Sequence, residues 1–125
     1  MNGENPKVFL NNEGIIEFIW NGDLEWKAYV EALQYSYQLA KELESQGRPV
    51  NMIVDFAHLG KLAPPGPQIA VRSLKDIPYH KIAGFGVKPE HQPVLDAIKE
   101  ETRENKGVIR DFPTREEALI WVKEN

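Results

Sequence analysis

The imidazoles and carboxylates come first, because this 125-residue chain has no cysteine and only three histidines. Asp55, at the end of the apolar run "VNMIVDF" at 50–56, and His58, just past it, are three residues apart. A histidine beside a carboxylate can work as a general base. Such a pair still needs a nucleophile, and no serine or threonine lies between Asp55 and Ser73. His80 and His91 complete the set, and the spacing fits no ligand pattern such as i, i+4 on one helix. Without cysteine there is no disulfide, thiol catalysis or thiolate metal site. Asp55 is therefore expected to accept N–H bonds from the turn after its strand, and the histidines to be solvated or in turns. No catalytic residue, metal or cofactor is expected.

Glycine and proline mark two further places. "GFGVKPE" at 84–90 precedes a helical pattern, where a phosphate cradle would need a run of N–H groups at the helix start. Pro89 removes one donor, so a twisted strand with close backbone packing is the expectation. Pro64-Pro65-Gly66-Pro67 stands where a strand hands over to a helix. Pro67 suits an early helical position, because its missing N–H would be unpaired there anyway. The cluster makes a stiff, apolar entry to the helix.

The elements that must position these residues follow from periodicity. "VFL" at 8–10 and "GIIEFIW" at 14–20, split by "NNE", read as an antiparallel hairpin with Ile16, Phe18 and Trp20 on the core face. Asp23 is the expected N-cap of a helix over 24–45. Its stripe would be Trp26, Tyr29, Val30, Leu33, Tyr37, Ala40 and Leu43, with Tyr35 off it and Gly47 closing it. Residues 50–56 suit a central strand. A short helix carries Ile69 to Ile77, a strand spans 81–87, and a helix spans 89–107 with Pro93 in its first turn. The run "KEETRENK" at 99–106 is a solvated face of that helix. "VIRDF" at 108–112 is the last strand, and Thr114 with Glu117 forms a capping box for a terminal helix that buries Ala118, Leu119 and Val122. The order β-β-α-β-α-β-α-β-α predicts one α/β domain over residues 1–125. Its sheet is five-stranded, mixed and mostly parallel, with four helices.

Hydrophobic residues make up 42% and charged residues 27%, the balance of an ordinary globule. The net charge of −4 argues against nucleic acid and against simple docking on anionic lipid. No apolar run is long enough for a membrane span, and "MNGENPK" has no signal-peptide blocks. A bacterial-type cytoplasmic location is the default expectation.

The element order, with "MIVDF", "PYHKIAGFGV" and "VIRDFPTREEALIWV", resembles the SpoIIAA-like family of STAS domains over essentially the whole chain. The CRAL-TRIO lipid-binding proteins are a more distant likeness, by analogy of fold. In phospho-switch members of the family, an Asp-Ser-Ser-Gly type motif after the third strand carries a serine that a partner kinase phosphorylates. Aligning that motif by its glycine puts Gly66 on the glycine, Pro64 and Pro65 on the hydroxyl positions and Ala63 on the aspartate. The chain departs from the motif at every functional position, so a serine switch in this turn has no acceptor.

The resemblance implies a non-catalytic ligand-binding or regulatory domain, taking a small apolar or lipid-like molecule in a cleft. The lining candidates are Trp26, Tyr29, Leu62, Pro64, Pro65 and Ile69. The alternative is a protein-interaction adaptor that docks a regulatory partner through the same loop, with Asp55, His58 and Gly66 in the interaction surface. An enzyme built on Asp55 and His58 ranks below both. Peripheral membrane contact and a homo-oligomer, through the aromatic first helix, stay open.

Overall fold

The computed structural model describes residues 7–23, 26–61, 79–93, 95–96 and 108–124; for Trp26, Tyr29 and Val108 it describes the backbone only. Asn11 makes the first turn of the sheet. Its Oδ1 accepts the N–H groups of Glu13 (2.8 Å) and Ile15 (3.0 Å), and its own N–H donates to Ile15 O (2.9 Å). An Asx turn of this kind replaces the backbone bonds that a reversing chain loses. It pairs β1 (Lys7–Leu10) with β2 (Ile16–Gly22) antiparallel, as the Asn-rich break predicts.

Chain order is sheet order from there. β3 (Asn51–Leu59), β4 (Lys81–Phe85) and β5 (Val108–Phe112) add in parallel, giving a five-stranded mixed sheet ordered β1-β2-β3-β4-β5. α1 (Trp26–Ser45) lies on one face beside β1 and β2, and α2 (Arg115–Lys123) lies on the other beside β3, β4 and β5. Among the described residues these are the two α-helices. A 3-10 turn at Pro89–His91 leads into helical backbone at residues 92–93 and 95–96. The helix expected from Ile69 to Ile77, the proline cluster and most of the helix expected over 89–107 lie outside the described residues.

Each face has its own core. Ile16, Phe18 and Trp20 of β2 pack with Met52 and Val54 of β3, Ile82 of β4 and Ala32, Leu39, Ala40 and Leu43 of α1. On the other face Ile15, Ile53 and Ala83 meet Ala118 and Val122, with Phe85, Phe112, Leu119 and Trp121 around them. Fully burying one such aliphatic side chain stabilises the fold by roughly 1.5–3 kcal/mol relative to leaving it exposed.

The stripe of α1 differs from expectation. The buried positions are Ala32, Ser36, Leu39, Ala40 and Leu43, and Tyr37 is exposed, with the Lys41 ammonium over its ring. Small Ala32 and Ser36 let the helix sit close to the sheet, where a tyrosine would hold it off. Ser36 is fully buried and donates to Leu33 O (2.9 Å). Gly47 closes α1 as expected, at φ +73°, with Arg48 N bonded to Leu43 O and Gly47 N to Glu44 O, a Schellman pair.

Tyr79 is buried just before β4 and shares a side-chain hydrogen bond with Ser36. Burial pushes its phenol well above the ordinary value, and the Ser36 bond offsets only part of that. The folded state therefore holds this proton more tightly than the unfolded chain. The contribution is fully present below about pH 10 and is lost as the pH climbs past it. Thermal melts above about pH 10 should fall more steeply for the native chain than for Tyr79→Phe. At neutral pH that variant should lose only about 1 kcal/mol, the value of one hydrogen bond. Parallel alkaline limbs would place the sensitivity elsewhere.

α2 is held at both ends. Thr114 Oγ1 accepts the N–H of Glu117 (3.3 Å), as the T-x-x-E spacing predicts. At the other end Lys81 of β4 donates to Trp121 O (2.9 Å) and Glu124 O (2.7 Å), placing a cation on the helix carbonyls. Lys123 pairs with Glu13 of the first turn.

Candidate functional site

In open parallel sheets, ligands and partners gather beyond the carboxyl ends of the strands. Here β3 controls that edge, and it runs further than its sequence suggests. The apolar run ends at Phe56, but the strand continues to Leu59. Ile19 pairs with Asp55 and Asn21 with His58, so β3 carries one residue more than β2 across this step. That is a β-bulge. Met52, Val54 and Phe56 face the α1 core, and after the bulge Leu59 takes over that face. The inserted residue shifts the alternation by one, which drives Leu59 into the core and leaves His58 exposed.

Asp55 thus lies within the strand, at the bulge, and not at its carboxyl end. Its Oδ1 accepts the Ala57 N–H (2.9 Å), the donor that the bulge takes out of the ladder. The expected backbone-accepting role holds, inside the strand instead of in a turn. No hydrogen bond or ion pair joins Asp55 to His58 among the described residues. The bulge also explains the two glycines of β4's end. A Cβ at Gly84 would stand 3.0 Å from the Phe56 ring, and one at Gly86 would stand 2.8 Å from Ala57 Cβ. Close backbone packing is what the Gly-x-Gly serves.

Beyond the bulge, the exit of β3 is tied on two sides. Gly60 N donates to Gly22 O of β2 (2.7 Å), and Lys61 N donates to Asp23 Oδ1 (2.9 Å). From the segment after β4, Lys88 Nζ donates to Leu59 O (3.0 Å) and His91 Nε2 meets Gly60 O (2.8 Å). A carbonyl only accepts, so Nε2 carries the proton. His91 stands in the 3-10 turn, one of the two places expected for the histidines, but it is buried there because its ring closes over this exit; Nδ1 is buried with no hydrogen-bond partner among the described residues. The Glu90 carboxylate lies 3.7 Å from Nε2 on the solvent side. Asp23 spans from β2 to β3 through this bond; the cap expected of it at the start of α1 falls at residues 24 and 25, which lie outside the described residues. Four bonds thus converge on three consecutive residues, Leu59, Gly60 and Lys61. They fix the direction in which the chain leaves the sheet toward the proline cluster.

Of the candidates from sequence, the structure places Asp55 at the bulge and His58 exposed on β3. Trp26 and Tyr29 stand in the first turns of α1, with backbone only described. Leu62, Pro64, Pro65, Gly66 and Ile69 lie outside the described residues. Lys88 and His91 were not legible as partners of β3, because no local pattern marks a contact across 29 or 31 residues. No cluster of three or more acidic or histidine side chains that could hold a metal lies among the described residues. No helix among them is long and apolar enough to cross a membrane.

The tie at Asp23 is open to direct test. Asp23→Ala removes the acceptor of the Lys61 amide, and one such bond is worth about 1 kcal/mol. Hydrogen exchange at Lys61 should accelerate roughly fivefold, the equivalent of that energy, while core amides such as Ile53 hold their rates. Unchanged exchange at Lys61 would mean that Asp23 does not secure the exit.

No family model and no curated sequence matches the chain. Solved structures share its architecture, among them these two. One is an uncharacterized protein from the DUF3478 family with a SpoIIAA-like fold from Shewanella loihica PV-4, with TM-score 0.64 and 16% identity over 94% of this chain and 91% of that one. The other is the anti-sigma factor antagonist SpoIIAA in its unphosphorylated form, with TM-score 0.59 and 15% identity over 96% of this chain and 99% of that one. At such identities the likeness concerns the fold. With one antiparallel hairpin strand, four parallel strands in chain order and helices on both faces, the chain has the SpoIIAA-like, STAS-type fold.

Proposed function

We propose that this chain is a non-catalytic regulatory domain that docks a partner protein at the exit of β3, without phosphorylation there. The observation that carries this reading is the convergence of Asp23, Lys88 and His91 on Leu59, Gly60 and Lys61. A surface presented from a fixed base loses less freedom on binding than a mobile one. The turn that follows has no hydroxyl to modify, so recognition rests on shape and apolar contact at Leu62, Pro64, Pro65 and Gly66. The likeness in fold to an anti-sigma factor antagonist supports a docking role. Asp55 and His58 serve the strand and its solvent face in this reading, with no reaction assigned to them.

A second reading keeps the same edge of the sheet and gives it a small apolar or lipid-like ligand, lined by Trp26, Tyr29 and Ile69 as well. The buried, unpartnered Nδ1 of His91 favours some donor-bearing group nearby. A photo-crosslinking residue placed at the exposed Lys61, with the same residue at exposed Lys41 on α1 as control, separates the two readings. A protein adduct from position 61 alone supports docking. A small-molecule mass adduct in native mass spectrometry, removed by Pro65→Ser, supports the ligand. Equal adducts from both positions, with a clean native mass, would sink both.

A further inference from the structure

Among the described residues β5 is the last strand of the sheet and pairs with β4 alone. On such an edge, main-chain N–H and C=O groups point outward without ladder partners, and an extended chain can add to them. Arg110 stands at the middle of this strand, in register with Ala83 on the α2 face. Its guanidinium carbon lies 5.4 Å from the ring centre of Trp121 and 5.8 Å from that of Phe112. The two rings are 5.6 Å apart and inclined at 42°, so they form a corner with the cation between their faces. Cation–π attraction holds an arginine in such a corner. The rotamer freedom that a solvated arginine loses on binding is then largely absent beforehand.

The other cations around α2 are engaged: Arg115 by Glu17, Lys123 by Glu13, and Lys81 by two carbonyls. Among the described residues no acceptor takes the Arg110 donors. A planar fork with its donors unused matches a carboxylate, which can accept two parallel bonds. We propose that the β5 edge is a docking strand for an extended acidic segment of a partner protein. The segment would pair with the backbone of residues 108–112 and set a carboxylate opposite Arg110. Residues two apart share a face, so an apolar side chain two positions from the carboxylate would lie opposite Phe112. The competing role for Arg110 is to guard the edge against self-pairing, a common use of charge on edge strands.

Two short acetylated peptides of alternating threonine and valine separate these roles. One carries Glu at its centre with Phe two positions on, and the other carries Gln in place of Glu. Each is titrated into the full, 15N-labelled chain while the amide shifts are followed. Docking predicts shifts centred on residues 108–112 and binding of the Glu peptide about fivefold tighter than the Gln peptide, as for one favourable cross-strand charge pair. The difference should vanish at about 1 M salt, where screening acts within roughly 3 Å. It should vanish in Arg110→Gln and persist in part in Arg110→Lys, which keeps the charge without the fork. Equal affinity for the two peptides, shifts elsewhere, or no shifts would overturn the proposal. So would an Arg110→Gln chain that self-associates while binding both peptides as the native chain does.

Discussion

Removing Arg115 will destabilise the fold by about 2 kcal/mol, more than neutralising its partner Glu17 will. Glu17 sits on β2 with its side chain only 8% exposed, while Arg115 is 46% exposed. The Glu17 Oε2 accepts from Arg115 Nη2 (2.7 Å) and from Asn11 Nδ2 (2.9 Å). Arg115→Ala leaves a buried carboxylate with one neutral donor. Breaking a fully buried pair costs about 3–5 kcal/mol, and the wet side of Arg115 reduces that here. Glu17→Gln removes the charge itself. The amide still accepts one bond, and Arg115 turns to water, so about 1 kcal/mol is expected. The double variant should then be more stable than Arg115→Ala alone. Position sharpens the test. Arg115 opens α2, where the helix dipole disfavours a cation. Were the pair only a surface contact, Arg115→Ala would be neutral or mildly stabilising. Urea unfolding reads the difference as a lower midpoint at unchanged slope. An Arg115→Ala midpoint at or above the native one would refute the buried-pair account.

Glu17 also marks the boundary of what local pattern conveys. A charge within "IIEFIW" is legible as an anomaly, since both faces of this stretch are otherwise apolar. Its partner, 98 residues away, is not. What was legible depends on contacts close in sequence. The alternation of Ile16, Phe18 and Trp20, the Asn-rich turn, Gly47 and the Thr114 cap are local, and each element stands where its pattern puts it. The bulge is different. Nothing in "VDFAHL" says that two-residue alternation breaks after Phe56; pairing with β2 and burial of Leu59 decide it. Tyr37 was misplaced for a related reason. Three- and four-residue steps fit both Tyr37 and Ser36, and the close approach of helix to sheet selects the smaller residue. At the candidate site the same division appears. Asp55 was readable as a backbone acceptor, but Lys88 and His91 reach the β3 exit only because β4 lies beside β3.

The bulge makes one more demand, and it yields the largest single-residue effect expected in the chain. Gly86→Ala should lower stability by about 3 kcal/mol and the melting temperature by on the order of 10 °C. Two independent costs act there. Gly86 has φ +72°, and an L-residue held in that region costs roughly 1–2 kcal/mol. A Cβ would also meet Ala57 at 2.8 Å from its Cβ, 2.9 Å from its Cα and 3.0 Å from its N. Forcing a methyl into such a space costs typically about 1–3 kcal/mol. Gly47 supplies the control. Its φ is nearly the same at +73°, but nothing lies within 4 Å of its built Cβ. Gly47→Ala should therefore show the conformational cost alone, about 1 kcal/mol. The difference between the two variants measures how tightly the segment after β4 is packed on the β3 bulge. A second-site change tests the cause. Ala57→Gly in the Gly86→Ala background removes one of the three close atoms and leaves two on the main chain, so it should recover only part of the loss. Full recovery would mean that the side chain alone was the obstacle. No recovery, with Gly86→Ala no worse than Gly47→Ala, would mean that the bulge and the β4 exit are not in contact, and the account of the candidate site would lose its foundation.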